Sequence, residues 1–152
     1  MSSKNTERKL TREELDRWYR ALEGKTDEHF SQYMGGLARF KGDICQGMCC
    51  LGVFLHVNDS RPWSDMEHGQ ELTTYPDTDT EEYRVGEILD NETWGKRFAK
   101  TFSMPKIKAE AEKMKMPISV AYRVQQAFAL LNDGEIATFK DIARIARKAE
   151  IK

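Results

Sequence analysis

Residues 48–57, MCCLGVFLHV, are the most apolar run in the chain. A run this apolar has to be buried, so the rest of the chain must arrange itself around it. Leu51 and Leu55 are four apart, as are Cys50 and Phe54, which fits a buried helix despite Gly52. A strand fits too, because short apolar runs do not decide by period.

Helical signals dominate the flanks. Thr11 and Glu14 form a T-x-x-E capping box ahead of Leu15, Trp18, Tyr19 and Leu22, and Gly24 suits a helix stop. Residues 25–43 carry Gly35, Gly36 and Gly42 and read as a loop with a short strand near 37–40. Residues 58–83 are polar and turn-rich, so they are expected to be irregular cover. Asn91 can cap a helix bearing Trp94, Phe98 and Phe102, which Pro105 ends or restarts. A charged helix over 106–116 stops before Pro117. A further helix starts at Ser119 with Ala121, Val124, Phe128 and Leu131 on one stripe. Asp133-Gly134 turns the chain, and Thr138 with Asp141 caps a last helix carrying Phe139, Ile142 and Ile145. These segments predict a mainly α protein of five or six helices, α+β if a short hairpin forms, in a single compact domain. Residues 1–10 are expected to be a flexible N-terminus and 11–152 the globular domain.

Composition narrows the setting. Hydrophobic residues at 39% and charged residues at 32% fit a soluble globule rather than a disordered chain. No apolar run approaches a bilayer span and the start lacks an apolar signal core, so a cytoplasmic protein without a membrane partner is expected. Three cysteines, an odd number, suit a reducing compartment. The net charge of −1 predicts no bulk attraction to nucleic acid. It is unevenly spread: residues 65–92 hold ten acids and one base, and residues 93–116 seven bases and two acids. The acidic stretch is a candidate docking face, and the basic one a solvated face or an anion site.

The cysteines invite chemistry. On one helix, Cys45, Cys49 and His56 would share a face, one ligand short of a closed zinc site, with His29 or His68 as a distant fourth. No CxxC pair is present, so buried packing is the stronger reading and no metal or cofactor is expected. A Cys49–His56 nucleophile is disfavoured by the apolar surroundings, because reactive thiols need a partly exposed, electropositive setting. The acidic run from Asp77 has Glu82 and Ile88 where a calcium loop needs Gly and Glu. The last helix resembles the first of a helix-turn-helix, but a recognition helix would have to follow Lys152, so sequence-specific DNA binding is not expected.

Aromatic residues near arginines can stack a base and hold a phosphate. Trp18, Tyr19, Tyr33, Trp63, Tyr75, Tyr83 and Trp94 are the aromatic candidates, with Arg20, Arg39, Arg61 and Arg97 near several of them. Trp18 and Trp94 read better as core anchors. Tyr33 and Arg39 are better pocket candidates, and Asn132 and Asp133 could add polar groups that bond a base edge or ribose. Turn chemistry alone also explains Asn132 and Asp133.

Two stretches carry a resemblance: YMGGLARFKGD leading into CCLGVFL, and LND followed by a Phe and an Ile-Ala helix. Together they resemble a set of small bacteriophage-encoded proteins of poorly defined function. The matching residues are Trp18, Tyr33, Gly36, Leu37, Cys49, Cys50, Leu51, Gly52 and Val53, then Leu131, Asn132, Asp133, Phe139, Ile142 and Ala143. Phe54-Leu55-His56 departs from the pattern, standing where such proteins often carry another Cys and an acid. The resemblance implies a phage setting and no catalytic mechanism. Trp18, Cys49, Cys50 and Gly52 are then structural, with Gly52 allowing a neighbouring element to come close. The expected function is that of a non-enzymatic accessory protein countering a host defence system by binding, through sequestration of a nucleotide-like signal. The alternatives are an inhibitor that binds a host protein through the acidic stretch and a Cys- or Zn-dependent enzyme. A homo-oligomer is compatible with the aromatic content.

Overall fold

The computed structural model describes residues 8–33, 37–41, 44–58, 72–74, 82–85, 94–116 and 118–152, with backbone only for 39–41, 44–46, 72–74 and 82–85. Six helices appear among them: α1 (Arg12–Leu22), α2 (Cys50–Asn58), α3 (Lys96–Thr101), α4 (Met104–Lys113), α5 (Val124–Asp133) and α6 (Phe139–Ala149). Four strands, β1 (Ala38–Lys41), β2 (Ile44–Met48), β3 (Leu72–Thr74) and β4 (Glu82–Val85), pair antiparallel in the order β2-β1-β4-β3. The molecule is therefore mainly α with a small sheet.

Local chemistry explains the helix ends. Thr11 and Glu14 form the capping box of α1. At the other end Lys25 N–H reaches Arg20 O, Gly24 N–H reaches Ala21 O, and Gly24 takes φ +72°. This is a Schellman stop, which needs a residue tolerant of left-handed backbone. Thr138 and Asp141 cap α6 in the same reciprocal way as the first box. Pro105 restarts the helix rather than ending it, since it sits in the first turn of α4, where its missing N–H costs nothing.

The core gathers on Trp18, which is fully buried. Phe54, Phe98, Phe102 and Phe128 meet its indole edge-on at 5.3 to 6.1 Å, drawn from α2, the α3 turn and α5. Such edge-to-face contacts suit the ring quadrupole and add to the area buried.

Several expectations need correction. Helix α2 starts only at Cys50, and Cys45 belongs to strand β2, so the three cysteines share no helix face. Residues 58–83 hold β3 and the start of β4 rather than irregular cover alone, because β4 pairs with β1 and β3 pairs in turn with β4. The helix expected from Ser119 begins at Val124, leaving 119–123 outside it. Leu10, assigned to the flexible N-terminus, is buried, and its N–H donates to Thr101 Oγ1 at 2.8 Å. The chain reversal after α5 uses Glu135 at φ +62°, while Gly134 has φ −79°. Asn91 lies outside the described residues.

Candidate functional site

Trp18, Tyr33, Leu37, Asn132 and Asp133 converge on the start of α2, at Cys49, Cys50 and Gly52. Trp18 Nε1 donates to Cys50 O at 2.8 Å. Cys50 N–H donates to Asn132 Oδ1 at 3.1 Å, and Asn132 Nδ2 donates to Tyr33 O at 2.8 Å and Asp133 Oδ1 at 3.1 Å. Gln32 Nε2 adds a bond to Asn132 Oδ1 at 3.1 Å. Cys49 N–H donates to Leu37 O at 3.1 Å. A Cβ on Gly52 would overlap that same Leu37 carbonyl. One side chain, Asn132, thus ties α5 to α2 and to the strand-side loop, with apolar residues closing over it.

This geometry decides the role of Asn132. The side chain is fully buried and both its oxygen and its amide nitrogen are engaged inside the protein. It has nothing left to offer a base edge or ribose, which corrects its assignment as a ligand-binding residue. Tyr33 and Asp133 are brought to it, Tyr33 through its backbone carbonyl. Arg39 contributes described backbone only, paired with Gly47 and Arg84; its side chain lies outside the described residues.

The thiols are equally committed. Cys49 and Cys50 are buried. Burial pushes the Cys49 thiol up to about 12 and raises Cys50 well above the ordinary thiol range. A nucleophile needs the opposite shift. His56 sits apart from Cys49, with Nε2 3.0 Å from Glu28 Oε1 and its ring edge-on to Phe30 at 5.4 Å. Among the described residues no group of three or more potential ligands could hold a metal ion. The side chain of Cys45, and His68 altogether, lie outside those residues.

Among the described residues, Trp94, Arg97 and Tyr19 serve the fold. Trp94 is buried against Phe54, with the Arg97 guanidinium 5.2 Å over its ring and paired with Glu14. Arg147 covers the Tyr19 ring at 4.4 Å while bonding Glu23. Trp63, Tyr75 and Arg61 lie outside the described residues, as do the side chains of Tyr83 and Arg84.

Two surface concavities are lined by described residues. One, of about 410 Å³, lies between α1, residues 26–30 and the end of α2 and is lined by Arg17, Arg20, Phe30, His56 and Val57 with Thr26, Asp27 and Glu28. Arg17 and Arg20 are one helical turn apart, so both point into it. Arg17 Nε donates to Asn58 Oδ1 at 2.8 Å, and Arg20 Nη2 reaches Lys25 O at 3.4 Å. The second, about 500 Å³, has Phe102, Met104, Pro105, Tyr122, Arg123 and Ile151 among its walls. Sequence reading named Arg20 and missed Arg17 and Phe30; the three-residue spacing of the two arginines on one polar helix face was the available signal. Comparison with family models, curated proteins and solved structures finds no match. None of the described helices is long and apolar enough to cross a membrane.

Proposed function

We propose that the chain is a non-enzymatic bacteriophage accessory protein that acts in the host cytoplasm against a defence system by binding a nucleotide-like signal. One observation carries the ligand class. The 410 Å³ cleft combines two guanidiniums, Arg17 and Arg20, with the rings of Phe30 and His56. Guanidiniums hold phosphate oxygens in a fixed fork, and aromatic rings accept a stacked base. The volume falls within the range of small-molecule sites. Glu28 is held by His56, which leaves Asp27 as the other carboxylate on the wall. Binding rather than catalysis fits the buried, neutral thiols of Cys49 and Cys50. The phage setting is supported by the resemblance of the Cys-Cys-Leu-Gly-Val and Leu-Asn-Asp motifs.

Calorimetric titration of cyclic and linear nucleotides into wild type, Arg17→Ala and Arg20→Ala tests the reading, with folding checked by circular dichroism. At least one nucleotide should bind wild type, and each variant should weaken it by about tenfold or more. Wild type that binds none, or folded variants that bind as wild type does, would overturn it.

A further inference from the structure

The 500 Å³ groove lies on other elements than the nucleotide cleft, and its chemistry is different. Its walls come from α3 and the turn into α4, the 118–123 segment and the C-terminal residues, and they include Ala99, Phe102, Met104, Pro105, Tyr122 and Ile151. Two large apolar side chains of the 118–123 segment stand in solvent: Val120 is 73% and Tyr122 74% exposed. Exposed apolar groups clustered beside an apolar groove are the usual mark of a docking surface. The segment runs into α5 through Arg123, an extended N-cap (φ −129°, ψ 145°) that makes no side-chain cap. Gln126 Oε1 accepts the Tyr122 N–H at 3.0 Å and holds the segment in that form.

Positive charge predominates around the groove; Glu150, next to Ile151, has its carboxylate bound to Arg12 and Tyr19. Residues 94–108 contain Lys96, Arg97, Lys100, Lys106 and Lys108 and no acid; residues 118–123 contain Arg123 and no acid; residues 151–152 add Lys152. Arg97 is bound to Glu14 and Lys108 to Ser119 O, so these two serve the fold. Lys106 and Arg123 are exposed, and the Arg123 guanidinium lies 5.3 Å over the Tyr122 ring. No carboxylate lines the groove. A nucleic-acid backbone would need a row of cations along the track, whereas here one lining cation stands beside an apolar floor. That favours a ligand with one apolar anchor and flanking negative charge.

We propose that this groove docks an acidic segment of a partner protein, with an apolar side chain seated over Phe102, Met104 and Pro105 and its carboxylates facing Arg123 and Lys106. Apolar burial supplies the affinity, and charge complementarity supplies the association rate and the choice of partner. The site is independent of the nucleotide cleft.

The test uses the full chain and three short synthetic peptides with blocked ends, labelled for fluorescence anisotropy. The first places one Phe among Asp and Glu residues, the second replaces the acids by Lys, and the third replaces the Phe by Gly. Only the first should bind wild type, more weakly as salt is raised. Tyr122→Ala and Arg123→Glu, both at exposed positions, should each weaken it about tenfold or more with unchanged circular dichroism. Val120→Ser supplies a third variant should either misfold, with a smaller loss expected. Arg17→Ala should leave peptide binding unchanged, which separates this site from the nucleotide cleft. Failure of the acidic peptide to bind wild type, or equal binding by the folded groove variants, would overturn the proposal. So would displacement of the peptide by a single-stranded oligonucleotide that binds more tightly, which would assign the groove to nucleic acid. A dimer in sedimentation equilibrium that Tyr122→Ala dissociates would assign it to a second copy of the chain.

Discussion

Asn132 Oδ1 accepts the Cys50 N–H at 3.1 Å, bonding a residue 82 positions earlier in the chain. The same side chain donates to Tyr33 O at 2.8 Å, and it is fully buried. Asn132→Ala would remove the partner of the buried Cys50 N–H and the bond to the Tyr33 carbonyl. The expected loss is about 2–4 kcal/mol, read by urea unfolding, since each abandoned polar group costs about 1–3 kcal/mol. A loss within experimental error would show that Asn132 is only a turn former.

Gly52 should be intolerant of any side chain. A Cβ there would overlap the Leu37 carbonyl oxygen and approach Met48 Cβ at 3.3 Å, and backbone yields less readily than a side-chain tip. Gly52→Ala must push α2 away from the start of β1 and strain the Cys49 N–H bond to Leu37 O. A destabilisation of about 3 kcal/mol, or failure to fold, is expected in thermal and urea melts. An Ala variant as stable as wild type would remove close approach as the reason for glycine.

The thiols give a pH-dependent outcome. Burial raises the Cys49 thiol from an ordinary 9.0 to about 12, so the folded state holds its proton longer than the unfolded chain. Stability from this group is therefore complete below pH 9 and is lost as pH rises toward 12. Native protein at pH 8 should resist iodoacetamide at Cys49 and Cys50, and urea should release both, as peptide mapping by mass spectrometry reads. Rapid labelling of either in the native state would revive the nucleophile reading.

Glu150 titrates in the opposite sense. Burial by itself would raise its carboxyl, but hydrogen bonds from Arg12 at 3.0 Å and Tyr19 at 2.7 Å, with the nearby guanidinium charges, hold it below the ordinary 4.5. Its contribution is present above pH 4.5 and lost as pH falls through the lowered value. Glu150→Gln should weaken the protein at neutral pH and flatten the acid side of its stability profile. A variant with the wild-type acid profile would exclude Glu150 as the source of that slope.

Local signals made the helices legible. Thr11 with Glu14, Thr138 with Asp141, and Gly24 each act within a few residues, so their capping roles can be read along the chain. The start of α5 is not legible, because Ala121 continues the apolar stripe backwards and Arg123 supplies no side-chain cap to mark Val124. Strands β3 and β4 are too short, at three and four residues, for a pattern to be read, and their order comes from pairing, β4 with β1 and β3 with β4. The role of Asn132 is hidden in the sequence for a related reason. Its partners Cys50 and Tyr33 lie 82 and 99 residues away, so its sequence neighbourhood shows only a helix end beside a turn. The Arg17–Arg20 cleft needed the position of Phe30 and His56, which no spacing along the chain reveals.

Native mass spectrometry of the protein recovered from phage-infected cells tests most directly whether it acts by holding a small anionic ligand. The chain should carry a phosphate-bearing small molecule that denaturation releases and that absorbs in the ultraviolet. The adduct should be absent from a folded Arg17→Ala, Arg20→Ala double variant. A chain that is recovered free at every stage of infection, that carries stoichiometric zinc instead, or that keeps its adduct in the double variant would contradict the proposed binding function.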